Sequence, residues 1–562
     1  MDNYEIADQL SLLGKLMEIH GENAFKAKSY ASAAFAIEKL PGQLADMRAA
    51  DIYRIRGIGE SVGKRVTELL ESGSIGQVTE YINRTPQGVL EMMNIKGLGP
   101  KKINTIWKEL GIDTIEELEK ACTENRIADK KGFGEKTQEK ILSAIRFRKT
   151  SAGKYLFAQV DTFVQAFQAK LEKKFPLALF AVTGAFRRQL EIIESLEWLT
   201  TATKEELRTY LLREGVELES ESDEALVFSA DNTIRFHFLM TTPERFYSRL
   251  FETSCSSEFL AAWKKQADWK ENAQYKSEED IFTEAGISYL PPFMRETEEI
   301  IRKAAGEKIS DVLQTSDIRG LIHSHSNWSD GSYTIEEMAR ALIELGFEYL
   351  VISDHSKAAF YANGLSEERI IQQHQYIDEL NEKLAPFRIF KSIECDILND
   401  GSLDYEDRIL SLFDLVIVSI HSNQNMDEAK AMKRLLGAIS NPYTTILGHM
   451  TGRLLLRRNG YPVDHRQIID ACVENNVVIE INANPNRLDM DWRWIEYALD
   501  RGLTLSINPD AHTIEEFQNI RYGVLVAQKG GLTPRQNLSS FTLPEFESFL
   551  SGARRKKLLS QR

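Results

Sequence analysis

The chain has 562 residues, 43% of them hydrophobic, and a formal net charge of −15. It is too long for one core and divides into about three or four domains. So acidic a balance excludes a surface that is a nucleic-acid footprint throughout, while leaving room for a local one. The four cysteines, Cys122, Cys255, Cys395 and Cys472, are too widely spaced for a disulfide framework or a thiolate zinc site. No basic-then-apolar leader opens the chain, and its apolar runs, such as Leu415 to Val418, are strand-sized. The expectation is a reducing cytoplasm and no membrane span.

From residue 1 to about 150, apolar residues recur at helical spacing between short glycine turns, which predicts a set of small helices. Two turns share a pattern: IRGIGESVGKR at Ile55 to Arg65, with Gly57 and Gly59, and IKGLGPKKI at Ile95 to Ile103, with Gly97, Gly99, Lys101 and Lys102. A weaker third copy, KKGFGEKTQEKI, carries Gly132 and Gly134. A Gly-x-Gly turn lets backbone N–H groups approach a phosphate at a helix N-terminus. From Arg54 to Lys108 there are nine Lys or Arg against five Asp or Glu, a local excess suited to sequence-independent phosphate contacts. One such turn could be merely a tight helical hairpin; three in order point to DNA.

Residues 155–310 mix helical segments with strand-like stretches at Ala178 to Val182, Leu196 to Thr200, Ala225 to Ser229 and Thr233 to Met240, an α+β pattern. After a polar connection at Gln314 to Asp317, the runs LVISDH, FRIFKSIE, LVIVSIH, TILGH, VVIEINAN and LTLSINPDAH alternate with helical patterns. That alternation predicts a βα barrel or a doubly wound sheet. The final ARRKKLLSQR reads as a frayed basic end.

The ends of these runs carry the chemistry. His323 and His325 are two apart on a strand and so share a face; Asp330 follows on the adjoining loop; His355, Glu394, His421, His449, Asp510 and His512 end successive runs. In a parallel barrel such ends lie on one rim. Nine nitrogen and oxygen donors suffice for two or three divalent ions of the manganese, zinc or iron type, and the absence of sulfur argues against a structural zinc. Clustered divalent ions suit hydrolysis of phosphate esters.

HSHSNWSDG, SDHS and PDAH together resemble the PHP (polymerase and histidinol phosphatase) family pattern. The resemblance implies a seven-stranded barrel. It also implies three ions, one held by His323, His325, Glu394 and Asp510, one by Glu394, His421 and His449, and one by Asp330, His355 and His512. No catalytic side chain is implied beyond a water on the metals. GRLLLRRNGY and EINANPNRLDMDWRW offer Arg453, Arg457, Asn484 and Arg487 as phosphate or sugar contacts, with surface ion pairing the bland alternative. These stretches resemble the PHP domain of bacterial family X DNA polymerases in particular.

That wider resemblance runs from about residue 5 to 555. It implies a multidomain chain with an N-terminal all-α helix-hairpin-helix region, a central α+β nucleotidyltransferase-like palm and thumb, and a C-terminal α/β (βα)7-type PHP barrel. The implied boundaries are 1–80 (lyase-like), 81–150 (fingers-like), 151–312 (palm and thumb) and 318–562. IHGENAFKAKSYASAAFAIEKLP resembles the lyase domain, but the Schiff-base lysine is replaced by Arg65, which cannot form an imine, with Lys64 beside it. VTGAFRRQLEIIESLEWL resembles the palm segment and EEDIFTEAGISYLPPFMRE the thumb. Where the family has three metal-binding aspartates this chain has Ser195, Glu197 and His237, a poor set for two Mg²⁺ ions. The expected activity is therefore a DNA-repair 3′-to-5′ exonuclease acting on a gap, nick or 3′ end, with polymerisation lost. The alternatives are an active gap-filling polymerase with PHP proofreading, a PHP-type small-molecule phosphatase, or a non-catalytic DNA scaffold.

Overall fold

In the computed structural model, which describes residues 1–560 except 39, 41, 56, 96, 230–233, 268, 271–272 and 307–311, Met1–Ala152 and Gly153–Arg562 form separate units. Arg56 and Lys96 of the hairpin motifs, Thr233 of an expected strand and the last two residues of the basic tail lie outside the described residues.

The first unit is all helix. Asn3–Ile19 begins at Asp2, whose carboxylate accepts from the Glu5 N–H while Glu5 returns the bond, and it buries Ile6, Leu10, Leu13 and Met17 along one face. One apolar core gathers Ile6 through Tyr81 and a second gathers Ile19 and Val89 through Ile145. The three glycine turns share one geometry at their first glycine: Gly57, Gly97 and Gly132 have φ of 96°, 95° and 92°. A side chain in that left-handed region costs about 1–2 kcal/mol. The following glycines then start the helices Glu60–Ser72, Pro100–Asn104 and Glu135–Ser151. The third copy departs at its second glycine, since Gly134 has φ 71° where Gly59 and Gly99 have −78°.

The second unit opens with a five-stranded sheet: β1 Phe180–Thr183, β2 Ser195–Thr200, β3 Glu217–Glu221, β4 Ala225–Ser229 and β5 Arg235–Met240, in the order β1-β2-β5-β4-β3. The sequence reading missed β3, ELESE, because an exposed edge strand shows no apolar alternation. Helix Phe157–Lys174 brings Phe167 against Trp198 and Phe236. Helices Phe246–Thr253, Ser257–Gln266 and Glu278–Glu284 then build a separate aromatic core around Phe251, Phe259, Trp263 and Phe282.

Seven parallel strands follow: β6 Gly320–Ser324, β7 Tyr349–Ile352, β8 Arg388–Asp396, β9 Leu415–Ser419, β10 Ile446–Leu447, β11 Val478–Asn482 and β12 Leu505–Asn508. They are hydrogen-bonded in strict chain order, and a parallel bridge from Ser324 to Ala511 brings the first strand to the last. A doubly wound sheet would reverse its order midway, so the structure is a nearly closed (βα)7 barrel. Every residue of β6, β7, β9, β11 and β12 is buried, as strands covered on both faces require. The helix Leu543–Ser560 follows the barrel; its backbone is helical where a frayed tail was expected, and its Phe546 stacks on Tyr349. Among the described residues no helix is long and apolar enough to cross a membrane.

Candidate metal centre

All nine donors named from the sequence meet at the C-terminal rim of the barrel. Glu394, on β8, is the hub. Its Oε1 lies 3.0 Å from His449 Nε2, 3.1 Å from His421 Nε2 and 3.4 Å from His323 Nε2, and its Oε2 lies 3.0 Å from His355 Nδ1. Asp510 Oδ1 stands 3.2 Å from His325 Nε2 and 3.5 Å from His323 Nε2. Asp330 Oδ1 stands 3.5 Å from His512 Nε2 and 3.7 Å from His355 Nε2. His323 and His325 thus reach one carboxylate, though not by plain strand alternation: β6 is irregular in register between Leu321 and Ser324, and His323 has φ 63°.

Three groups have donor atoms close enough to share an ion: His323, His325 and Asp510; His355, Glu394 and His421; and His325, Asp330, His355 and His512. The grouping differs from the partition the family implies, because His325 and His355 each stand in two groups and His449 joins through Glu394 alone. The donor chemistry fits cations. His323 Nε2, His355 Nδ1 and Glu394 Oε2 are buried within this cluster with no aligned hydrogen-bond partner, an expensive state for polar atoms unless an ion completes them. His355 Nδ1 illustrates it, lying close to Glu394 without bonding geometry.

The charges are strongly coupled. Burial, and then the His512 and His355 rings stacked 4.2 and 4.3 Å away, depress His325 to about 3. Burial would depress His421 as well, but Glu394 and Asp396 outweigh it and hold this ring at about 10. Burial alone would raise Asp330; His512 and His355 instead draw it down to about 2.

Sequence reasoning missed the residues that hold the donors. Glu480, wholly buried on β11, accepts from His323 Nδ1 at 2.5 Å, from the His449 N–H at 3.0 Å, and from the Asn482 and Asn508 amides at 2.9 and 2.8 Å. Asn482 also donates to Asp510 Oδ2 at 3.1 Å. The signal was a lone glutamate in the apolar run VVIEIN. Asp354 of SDHS binds Ser326, Ser329 and Gln373, fixing the loop that carries Asp330. Of the candidate phosphate contacts, Arg487 reaches the centre, with Nε 3.5 Å from Asp510 Oδ2. Arg453 instead spends its donors on Asp491 and on the Arg487 and Leu488 carbonyls. Arg457 is exposed, and Asn484 holds Asn486.

Comparison with known proteins agrees with this architecture. Residues 1–75 match the helix-hairpin-helix domain family, residues 89–146 the SAM-like helix-hairpin-helix tandem family, and residues 322–484 the PHP domain family. The DNA polymerase/3'-5' exonuclease PolX of Bacillus subtilis (strain 168) is 32% identical over 98% of this chain and 99% of its own length. The chain belongs to the bacterial family X DNA polymerases that carry a PHP domain. More distant matches involve a shorter stretch: a probable phosphatase of Thermoanaerobacter sp. (strain X514) is 26% identical over 38% of this chain and 86% of its own length. One from Caldanaerobacter subterraneus subsp. tengcongensis is 30% identical over 28% of this chain and 60% of its own.

Within this family X chain the palm residues turn inward. Ser195 Oγ donates to Glu197 Oε1 at 3.3 Å, and Glu197 is paired in register with His237 on the neighbouring strand. The Glu197 carboxylate also lies so near Gly184 that a Cβ there would stand 2.4 Å from it, so the side chain fills the turn below. Arg187 makes a two-pronged contact with buried Glu278, which Arg295 also engages at 2.5 Å. Arg188 pairs with Glu296 at 3.2 Å. In the hairpin region, Lys101 is largely exposed, Lys102 donates to the Gly97 carbonyl at 3.2 Å, and Arg65 pairs with Glu68.

Proposed function

We propose that the chain is a DNA-repair nuclease that grips a gap, nick or 3′ end through its hairpin turns and hydrolyses the 3′-terminal phosphodiester at the barrel rim, nucleotidyl transfer having been lost. The observation that carries this reading is the contrast between nine convergent donors at the rim, among them the buried and unbonded His323 Nε2, His355 Nδ1 and Glu394 Oε2, and a palm whose Arg187 and Arg188 are committed to Glu278 and Glu296.

His323, His325 and Asp510 would hold one ion and His355, Glu394 and His421 another, and Asp330 and His512 would contribute to a third. An all-nitrogen-and-oxygen set suits manganese, zinc or iron. Ions bound there supply Lewis-acid polarisation and water activation. The protein's own contribution is positional. Glu480 accepts a proton-bearing Nδ1 from His323, leaving its Nε2 lone pair directed at Glu394 and Asp510. Arg487, with Nη1 buried and unbonded, supplies positive charge beside the reacting phosphate. The hairpin N–H groups hold the duplex backbone without reading its bases.

The test uses a 5′-labelled gapped primer–template with Mn²⁺ or Mg²⁺, with and without dNTPs, comparing the native chain with a His323→Ala, His325→Ala variant. Primer shortening with release of mononucleotides, abolished in the variant, is the expected result. Primer extension would favour an active polymerase, for which the full-length similarity to a polymerase/exonuclease is the motive. Release of free phosphate without shortening would favour a phosphatase.

A further inference from the structure

Between the candidate ligand His355 and Leu365 the chain makes a closed excursion over the barrel rim. Its ends are tied together, the Leu365 N–H donating to the His355 carbonyl at 2.8 Å. Its ascending limb is fixed by the Lys357 N–H on the Tyr405 hydroxyl at 3.0 Å and the Ala358 N–H on Asp404 at 2.6 Å. Asn363, at φ 55°, donates its amide to the Trp328 carbonyl at 3.1 Å, two residues from Asp330, while Arg369 donates to the Asn363 carbonyl at 2.9 Å. Gly364 leaves no room for a side chain, since a Cβ there would lie 1.9 Å from the Ser356 carbonyl oxygen.

This rigid loop displays two aromatic rings to solvent. Phe360 is 84% exposed and Tyr361 65%, with centroids 5.9 Å apart and edge to face. Their neighbours Ala359 and Ala362 are buried and anchor the turn. Two large exposed rings do nothing for the fold, and a loop so firmly tied can present them without ordering cost on binding. The charges of the rim act on Tyr361: burial first, and then the carboxylates of Asp396, Glu394 and Asp330, push its phenol up to about 12, with Arg487 opposing.

We infer that Phe360 and Tyr361 form a stacking platform for the unpaired terminal bases of a DNA strand whose 3′ end enters the rim, so that single-stranded or frayed ends are the substrate the site selects. The inference deepens the nuclease reading and rests on it. A protein partner would require a broader apolar patch, whereas two rings on a loop that leaves the candidate ligand His355 and is tied down two residues from Asp330 match a nucleotide, which has a π-face beside its phosphate. A paired terminal base already stacks within its duplex and must be freed before it can use the platform.

The test uses the full-length protein and a single-stranded oligonucleotide with 2-aminopurine at its 3′ terminus and a hydrolysis-slowing phosphorothioate at the last linkage. The native chain should quench the terminal fluorophore and leave one placed ten nucleotides inward unchanged. Phe360→Ala should remove the quenching, and Phe360→Trp should retain it. With an ordinary linkage, the native chain should release a normal terminal nucleotide about tenfold or more faster than an abasic one, and in Phe360→Ala that ratio should fall towards one. Unchanged quenching and an unchanged ratio in Phe360→Ala would overturn the platform. Position-specific quenching without any nucleotide release by the native chain would uphold the platform and sink the nuclease reading instead.

Discussion

The barrel rim and the palm are both places where this acidic chain buries charge, and they do it in opposite ways. In the palm and thumb two acids are matched by cations of the fold: Glu278 lies between Arg187 and Arg295, and Glu296 between Arg188 and the buried Lys529. Arg295, with no exposed surface, also packs against the rings of Phe251, Phe282 and Tyr289. At the rim, six histidines converge on Glu394, Asp510 and Asp330, and His323 Nε2, His355 Nδ1 and Glu394 Oε2 stay unbonded within that cluster. Matched charge rigidifies a fold; convergent lone pairs of imidazoles and carboxylates are what a cation site requires. Carboxylate content alone would not have separated the two.

Four experiments break or sharpen that contrast. The largest effect is expected at Glu394, which lies within ion-pair distance of five histidines: Glu394→Ala should lower nucleotide release about a thousandfold or more and reduce the metal content of the purified chain. A variant that kept both would mean the rim is not a metal centre. Glu278→Gln should cost about 3–5 kcal/mol in urea unfolding, because Arg295 is left as an unneutralised buried charge, with no loss of metal. The pH dependence has a definite sign. Burial would raise the Glu278 carboxyl, but Arg295 and Arg187 overcome this and hold it below its ordinary 4.5. Its stabilisation is therefore complete above pH 4.5 and disappears as pH falls through its lower native value; the gap between native chain and variant should close in acid.

Glu480→Gln keeps the shape of the carboxylate while removing the anion behind His323, so chelator competition should show metal affinity about 10- to 100-fold weaker. An unchanged affinity would make Glu480 a packing residue. The smallest effect is expected from restoring aspartates in the palm. Ser195→Asp, Glu197→Asp and His237→Asp together should still give no detectable primer extension, because Arg187 and Arg188 remain committed to Glu278 and Glu296. Extension by that variant would show that the palm lacks nothing but its ligands.

Much of this was legible in residue order. The glycine turns could be read because φ near +95° admits little else, and the candidate donors because parallel strands put their C-terminal residues on one rim. The polar edge strand Glu217–Glu221 could not be read, since nothing apolar marks it. Nor could Glu480, a single acid in an apolar strand, whose part is defined by partners at His323, His449 and Asn508.

Residue order established the module succession and the nine candidate donors, because backbone conformation and strand-end position are local properties with local signatures. Tertiary packing decided which donors share an ion, that Arg453 braces a loop while Arg487 meets Asp510, and that Arg187 is held by Glu278. Those are distances between residues tens to hundreds of positions apart, and charge becomes structural or functional according to which other charge the fold brings within reach.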